Sequence, residues 1–191
     1  LHEPGVAAPP ETMLRDADAA LYAAKARGKG RVVLFDPSMK LEQAGRMTLE
    51  ADLRGAIERN ELRLHYQPEV RLDTGAVSGV EALLRWEHPT RGLLRPADFI
   101  PVAEESGLIV PLGRWALEQA CQQSARWRSL RPEAEPLAVS VNLSTRQLME
   151  GNLAPSVRSA VRDAGLEPSR LRLEIAETAL TGTGNRADAA L

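Results

Sequence analysis

The sequence predicts an α/β fold, and three observations carry that reading. Residues 62–67, 76–86, 137–143 and 170–176 alternate apolar and polar side chains with period two, as half-buried strands do. Between the later strands lie stretches with helical periodicity, at 96–105, 111–130 and 153–164. From Ala76 onward the order is strand, helices, strand, helix, strand, and that alternation argues for parallel strands covered by helices.

At 191 residues the chain can form one ordinary domain or parts of two. Its 43% hydrophobic and 26% charged residues are the profile of a water-soluble globular protein. The formal net charge of −2 gives no global attraction to DNA, RNA or anionic membranes, so an anionic ligand must be held by a local cluster. One cysteine, Cys121, excludes an internal disulfide and reads as a reduced, buried thiol of a cytoplasmic protein. No apolar run approaches the ~20 residues needed to span a bilayer. The start, Leu-His-Glu-Pro-Gly, has neither a signal peptide's basic region nor a Met, so the chain is expected to be part of a longer protein.

In order, residues 1–10 are Pro- and Gly-rich loop, and 11–27 a helix with Leu14, Ala17, Leu21 and Ala24 on one face. Gly28-Lys29-Gly30 ends that helix, and Arg31–Phe35 reads as a short terminal strand. Residues 39–60 form a linking helix with Leu49, Leu53 and Ile57 at i+4 spacing, capped by Asn60. The first two period-two strands flank the turn Asp73-Thr74-Gly75 and should be antiparallel, with Pro68 interrupting the first. Residues 87–95 are loop, Pro96 opens a short helix closed by Ser106-Gly107, and Leu112, Trp115, Ala116, Gln119, Ala120, Gln123 and Trp127 form the stripe of the long helix.

Charged residues stand inside the second strand. Glu81 and Arg85 share its less apolar face with Gly79 and Leu83, and a charge in such a run needs a partner or a purpose. Asn142 and Glu174 take the corresponding parity in the two later strands, each toward the C-terminal part, where barrel enzymes place their chemistry. Two carboxylates and an amide are hard oxygen donors, suited to Mg²⁺ or Mn²⁺. Parity alone leaves a structural polar row and a metal-binding row equally open. His65 and His88 lack a spaced partner histidine. Trp86, Trp115 and Trp127 read as packing residues, Glu104-Glu105 as a solvated helix end, and Arg126, Arg128 and Arg131 as a solvated face.

Two family resemblances sharpen this. Asp16-Ala17-Asp18-Ala19-Ala20-Leu21-Tyr22-Ala23-Ala24-Lys25, followed by Gly28-Lys29-Gly30-Arg31-Val32, resembles the C-terminal tail of a GGDEF (diguanylate cyclase) domain, whose signature loop is not in this chain. Residues 49–180 resemble the N-terminal half of an EAL domain, the cyclic di-GMP phosphodiesterase family. The markers are Leu64-His65-Tyr66-Gln67-Pro68, Glu81-Ala82-Leu83-Leu84-Arg85-Trp86, Pro96-Ala97-Asp98-Phe99-Ile100-Pro101, Ser140-Val141-Asn142-Leu143-Ser144 and Leu173-Glu174-Ile175-Ala176-Glu177.

The resemblance implies a truncated TIM-like (β/α) barrel of the EAL type at 61–191, preceded by a GGDEF helix-strand tail at 1–38 and the linking helix at 39–60. It implies Glu81, Asn142 and Glu174 as ligands of Mg²⁺ or Mn²⁺, Arg85 as the grip on a substrate phosphate, and Gln67 as a residue lining the substrate cleft. Glu177, grouped with Glu81 as catalytic, would steady a loop over the metal. The implied reaction is hydrolysis of cyclic di-GMP to linear pGpG in bacterial signalling. A homodimer through the EAL domain is also implied. The alternative is an inactive EAL domain that senses cyclic di-GMP or binds a protein. The family's downstream paired aspartates, lysine, glutamate and glutamine lie beyond Leu191, so this chain alone is expected to be poorly stable and to lack normal turnover.

Overall fold

The computed structural model describes residues 9–26, 30–130 and 132–175. Its backbone divides into two compact units, Leu1–Asp52 and Leu53–Leu191.

The first unit holds α1 (Pro10–Ala26) and α2 (Ser38–Arg54), which runs on into the second unit. The Asp36 carboxylate accepts the Ser38 N–H at 2.8 Å and so serves an orphan donor at the start of α2. The packed face of α1 is not the expected Leu14/Ala17/Leu21/Ala24 stripe. Ala19, Ala20 and Ala23 meet Val33, Phe35 and Met39, while Leu14 and Leu21 stay 66% and 54% exposed. Small side chains permit close approach, and the ion pair between Lys40 and the buried Asp16 draws the polar face inward. Arg31–Phe35 is a second correction. Val32 and Leu34 are exposed and the segment joins no ladder among the described residues, so it is not a strand.

In the second unit α2 stops at Arg54 rather than 60. Turns follow to Asn60, whose left-handed φ of 54° suits asparagine. Strand β1 (Leu62–Val70) pairs antiparallel with β2 (Val77–His88), as expected. Pro68 does not interrupt β1, because β1 is the edge of the order β1-β2-β4-β5 and a proline there need not donate outward. Part of the expected 87–95 loop is strand: β3 (Gly92–Leu94) folds back on β2, with Trp86 opposite Leu94. The buried His88 builds that turn, its Nδ1 accepting the N–H groups of Thr90 at 3.2 Å and Arg91 at 3.3 Å.

Helix α3 (Pro96–Ser106) carries proline at its first turn, and Gly107 ends it in the left-handed region at φ 83°. Helix α4 (Ile109–Leu130) leads to β4 (Ala138–Leu143). A short α5 (Thr145–Met149) follows, opened by a reciprocal Ser144–Gln147 capping box that the periodicity reading missed. Helix α6 (Leu153–Ala164) ends at Gly165, and β5 (Leu171–Ile175) is the last strand of the sheet among the described residues. Strands β2, β4 and β5 are parallel.

The core lies between this sheet and its helices. Val80, Ala82, Val139 and Val141 meet Leu117, Ala120 and Cys121 of α4 and Ala160 of α6. The α4 stripe is rotated from the expected one. Leu112, Ala116 and Ala120 are buried as expected, but Leu117, Cys121 and Ser124 join them, while Trp115, Gln119 and Gln123 are only half-buried. Burial pushes the Cys121 thiol up to about 11, in keeping with an inert cysteine. Trp127 packs edge-on against Tyr66 with ring centroids 4.7 Å apart. Trp86 is fully buried, edge-on to Phe99, and its indole N–H donates to Glu61 at 3.0 Å. Among the described residues, no helix is long and apolar enough to cross a membrane.

Candidate active site on the polar face of the sheet

Strand pairing decides which side chains share a face. Gln67 stands opposite Glu81, Glu81 beside Ser140, and Asn142 beside Glu174. Val80, Ala82, Val139 and Val141 take the other parity and fill the helix-covered core. The opposite face therefore carries Gln67, Glu81, Asn142 and Glu174 on four consecutive strands. The alternation needs no special device: Val80, Ala82, Val139 and Val141 are bound to the helices, so the residues between them face away.

Glu81 and Asn142 are in direct contact. The Asn142 Nδ2 donates to Glu81 Oε1 at 2.7 Å, across 61 positions of sequence. This bond occupies one carboxylate oxygen and leaves the amide oxygen of Asn142 and the second oxygen of Glu81 for another partner. Glu174 is exposed and Glu81 half-buried. The placement along the strands differs from expectation in one respect. Asn142 and Glu174 lie near the C-terminal ends of their strands, but β2 continues seven residues past Glu81 to His88. Only Gly79–Ala82 of β2 pairs with β4, so Glu81 is near the end of the parallel part while the rest of β2 is held by β1 and β3.

Arg85 lies on the same face, four residues beyond Glu81 and so about 13 Å along the strand. Its Nη1 donates to the Leu84 carbonyl at 2.9 Å, and among the described residues no carboxylate pairs with it. A half-buried guanidinium with donors to spare is suited to a planar oxyanion. Sequence reading did not single out Arg63, which stands directly opposite Arg85. Like charges so placed repel. The Arg63–Glu87 ion pair at 2.8 Å and bonds from Arg63 to the Asn60 and Leu62 carbonyls offset that repulsion. Glu177 lies outside the described residues.

One pleat away on the same face is a second polar group that sequence reading passed over. Glu69 accepts from Ser140 Oγ and from Arg172 Nη1, each at 2.7 Å. Its signal was available in principle, because Glu69 has the parity of Gln67, Ser140 that of Asn142, and Arg172 that of Glu174.

Among the described residues no cluster of three or more His, Cys, Asp or Glu side chains could hold a metal. The Glu81–Asn142–Glu174 set is a different kind of site, with two carboxylates and one amide. Its donor chemistry fits Mg²⁺ or a similar hard cation, which is commonly bound by one or two carboxylates with water and substrate phosphate completing the shell.

The EAL domain family matches residues 50–191. The chain belongs to the EAL family. An uncharacterized signaling protein of Caulobacter vibrioides is 48% identical over 170 residues, covering 89% of this chain and 20% of that protein. The bifunctional diguanylate cyclase/cyclic di-GMP phosphodiesterase MucR of Pseudomonas aeruginosa is 45% identical over 166 residues, 87% of this chain and 24% of its own length. The cyclic di-GMP phosphodiesterase PdeR of Escherichia coli is 38% identical over 182 residues, 92% of this chain and 27% of its length. This EAL chain thus spans about a quarter or less of those relatives. Among solved structures, the PaMucR phosphodiesterase in complex with c-di-GMP aligns with a TM-score of 0.68 at 46% identity, over 75% of this chain and 56% of that one.

Proposed function

We propose that the protein carrying this EAL chain hydrolyses cyclic di-GMP to linear pGpG in a divalent-metal-dependent reaction. The observation that carries the reading is the contiguous row Gln67–Glu81–Asn142–Glu174, with Arg85 on the same face, in a chain whose relatives include named cyclic di-GMP phosphodiesterases. Glu81, Asn142 and Glu174 would hold Mg²⁺ or Mn²⁺. Bound there, the cation would supply an activated water and neutralise charge on the scissile phosphate. Arg85 binds a phosphate oxygen pair through its planar fork and orients the dinucleotide. Gln67 lines the cleft beside Glu81. By the family resemblance, Glu177 would steady a loop over the metal. Residues 1–38 read best as the tail of a GGDEF domain joined through α2, which would place the two domains in one cytoplasmic signalling protein and allow a homodimer through the EAL part.

The test is an assay for pGpG with Mg²⁺ or Mn²⁺ on the full-length protein containing this chain. Glu81→Ala should lower kcat at least about 100-fold, the loss of roughly 2.7 kcal/mol of transition-state stabilisation, and chelation of the metal should abolish turnover. Tight nucleotide binding without turnover in the unaltered protein would favour the sensor alternative. Neither binding nor turnover would sink both readings.

A further inference from the structure

The group formed by Glu69, Ser140 and Arg172 joins strands that do not pair. Glu69 is on β1 and Arg172 on β5, the two ends of the order β1-β2-β4-β5. Three strand spacings separate them, about 14 Å along the sheet. The Glu69 Oε2 and Arg172 Nη1 nevertheless meet at 2.7 Å, so the two side chains form a chord across the polar face. Ser140, 1% exposed and midway on β4, anchors the other carboxylate oxygen at 2.7 Å. The chord crosses β2 at Gly79, the residue paired with Glu69. A Cβ there would stand 2.8 Å from Glu69 Oε2 and 3.1 Å from the Ala138 carbonyl, so only glycine lets the carboxylate lie over β2.

Each member of this layer sits two residues from a member of the site. The pairs are Glu69 and Gln67, Gly79 and Glu81, Ser140 and Asn142, and Arg172 and Glu174. Two residues along a strand is one full pleat on one face, about 6.6 Å. The chord therefore runs diagonally alongside the row proposed to bind metal and phosphate, from one pleat below Glu81 at Glu69 and Gly79 to the level of Glu81 at Ser140 and Arg172, and ties the same four strands.

We infer that Glu69 and Arg172 are positioning residues, forming with Ser140 and Gly79 a cross-sheet chord that sets the spacing between the Gln67–Glu81 and Asn142–Glu174 halves of the site. The chord draws the outer strands toward each other, and its loss would let β1 and β5 splay. Consequences for metal binding rest on the phosphodiesterase reading, but the spacing itself does not.

The experiment reads spacing first, in the full-length protein. Gln67→Cys and Glu174→Cys are introduced together as probes, and cross-linking of the two thiols by a rigid bis-maleimide, whose reach of about 14 Å matches three strand spacings, is timed. Three chord variants are compared in that background: Glu69→Gln, which keeps the shape and the Ser140 bond but removes the charge, Glu69→Arg, and the swap Glu69→Arg with Arg172→Glu. The first two should slow cross-linking about 10-fold, a coupling within the usual range for contacting residues, and the swap should restore it to within about 3-fold. Mn²⁺ affinity, read by electron paramagnetic resonance without the cysteine probes, should fall and recover in parallel. Unchanged cross-linking in Glu69→Gln and Glu69→Arg overturns the inference. Recovery of the thermal midpoint by the swap without recovery of cross-linking also overturns it, because that is what a merely stabilising ion pair would do. If cross-linking follows the expected pattern and the unaltered protein binds no Mn²⁺, the chord stands and the phosphodiesterase reading fails.

Discussion

Two carboxylates of this chain show how one residue type serves opposite ends. Glu81 stands half-buried on an open face with one oxygen engaged. Glu61 is consumed by structure. Arg59 donates to it at 2.6 Å and the buried Trp86 indole at 3.0 Å. The Arg59 hydrogen bond is the largest influence holding the Glu61 carboxyl below its usual 4.5, with Trp86 adding to it against the cost of burial. A depressed carboxyl stabilises the fold fully above its unfolded value, and that contribution is lost as pH falls through the lower folded value. Acidification from about pH 5 to 3 should therefore cost the native protein more than it costs Glu61→Gln. Urea midpoints at the two pH values measure this, and equal losses in both proteins would refute it.

Among the elements, α5 leaves no trace in the sequence periodicity and yet bears on the site. It begins three residues after Asn142, behind the cap Ser144, and is pinned to α4 at a glycine. A Cβ on Gly113 would overlap the amide of Gln147, which is 7% exposed and held in the capping box with Ser144. Helix propensity favours alanine over glycine by about 1 kcal/mol, while overpacking a filled site costs about 1–3 kcal/mol. The clash should prevail at Gly113, so Gly113→Ala should lower stability in denaturant titration. Gly45 in α2 has nothing within 4 Å of its Cβ position, so Gly45→Ala should take the propensity gain. A stabilising Gly113→Ala would show that α5 shifts freely. Periodicity could not reveal α5, since five residues span little more than one turn. The Ser144–Gln147 spacing was the legible sign. β3 escaped for a similar reason: three residues cannot display alternation, and its strand character comes from β2 alongside.

For the whole molecule, the polar face matters as a unit, because its residues come from four strands spread over more than a hundred positions. If that face binds cyclic di-GMP, the nucleotide must stabilise the fold by mass action. At about 100 times its dissociation constant the gain should be about 2.7 kcal/mol, visible as a higher thermal midpoint in the full-length protein. Arg85→Ala should abolish that shift at the same nucleotide concentration while leaving the ligand-free midpoint nearly unchanged. A midpoint that ignores the nucleotide in the unaltered protein would count against the proposed ligand.

Residue patterning alone establishes the α/β class, the antiparallel first pair, and the parity of Gln67, Glu81, Arg85, Asn142 and Glu174. Those are local properties, written in period-two alternation and in turn residues such as Gly107 and Gly165. Packing between elements sets the packed face of α1, the rotation of α4, and the failure of Arg31–Phe35 to become a strand. Each depends on what lies alongside, and an amphipathic pattern does not say which small or apolar residues a neighbour will meet. The same holds on the polar face. The Glu81–Asn142 bond and the Glu69–Ser140–Arg172 chord join residues 61, 71 and 103 positions apart, and they exist because strand register placed them together. Register is a property of the sheet, set by the pairing of whole strands, and no single strand contains it.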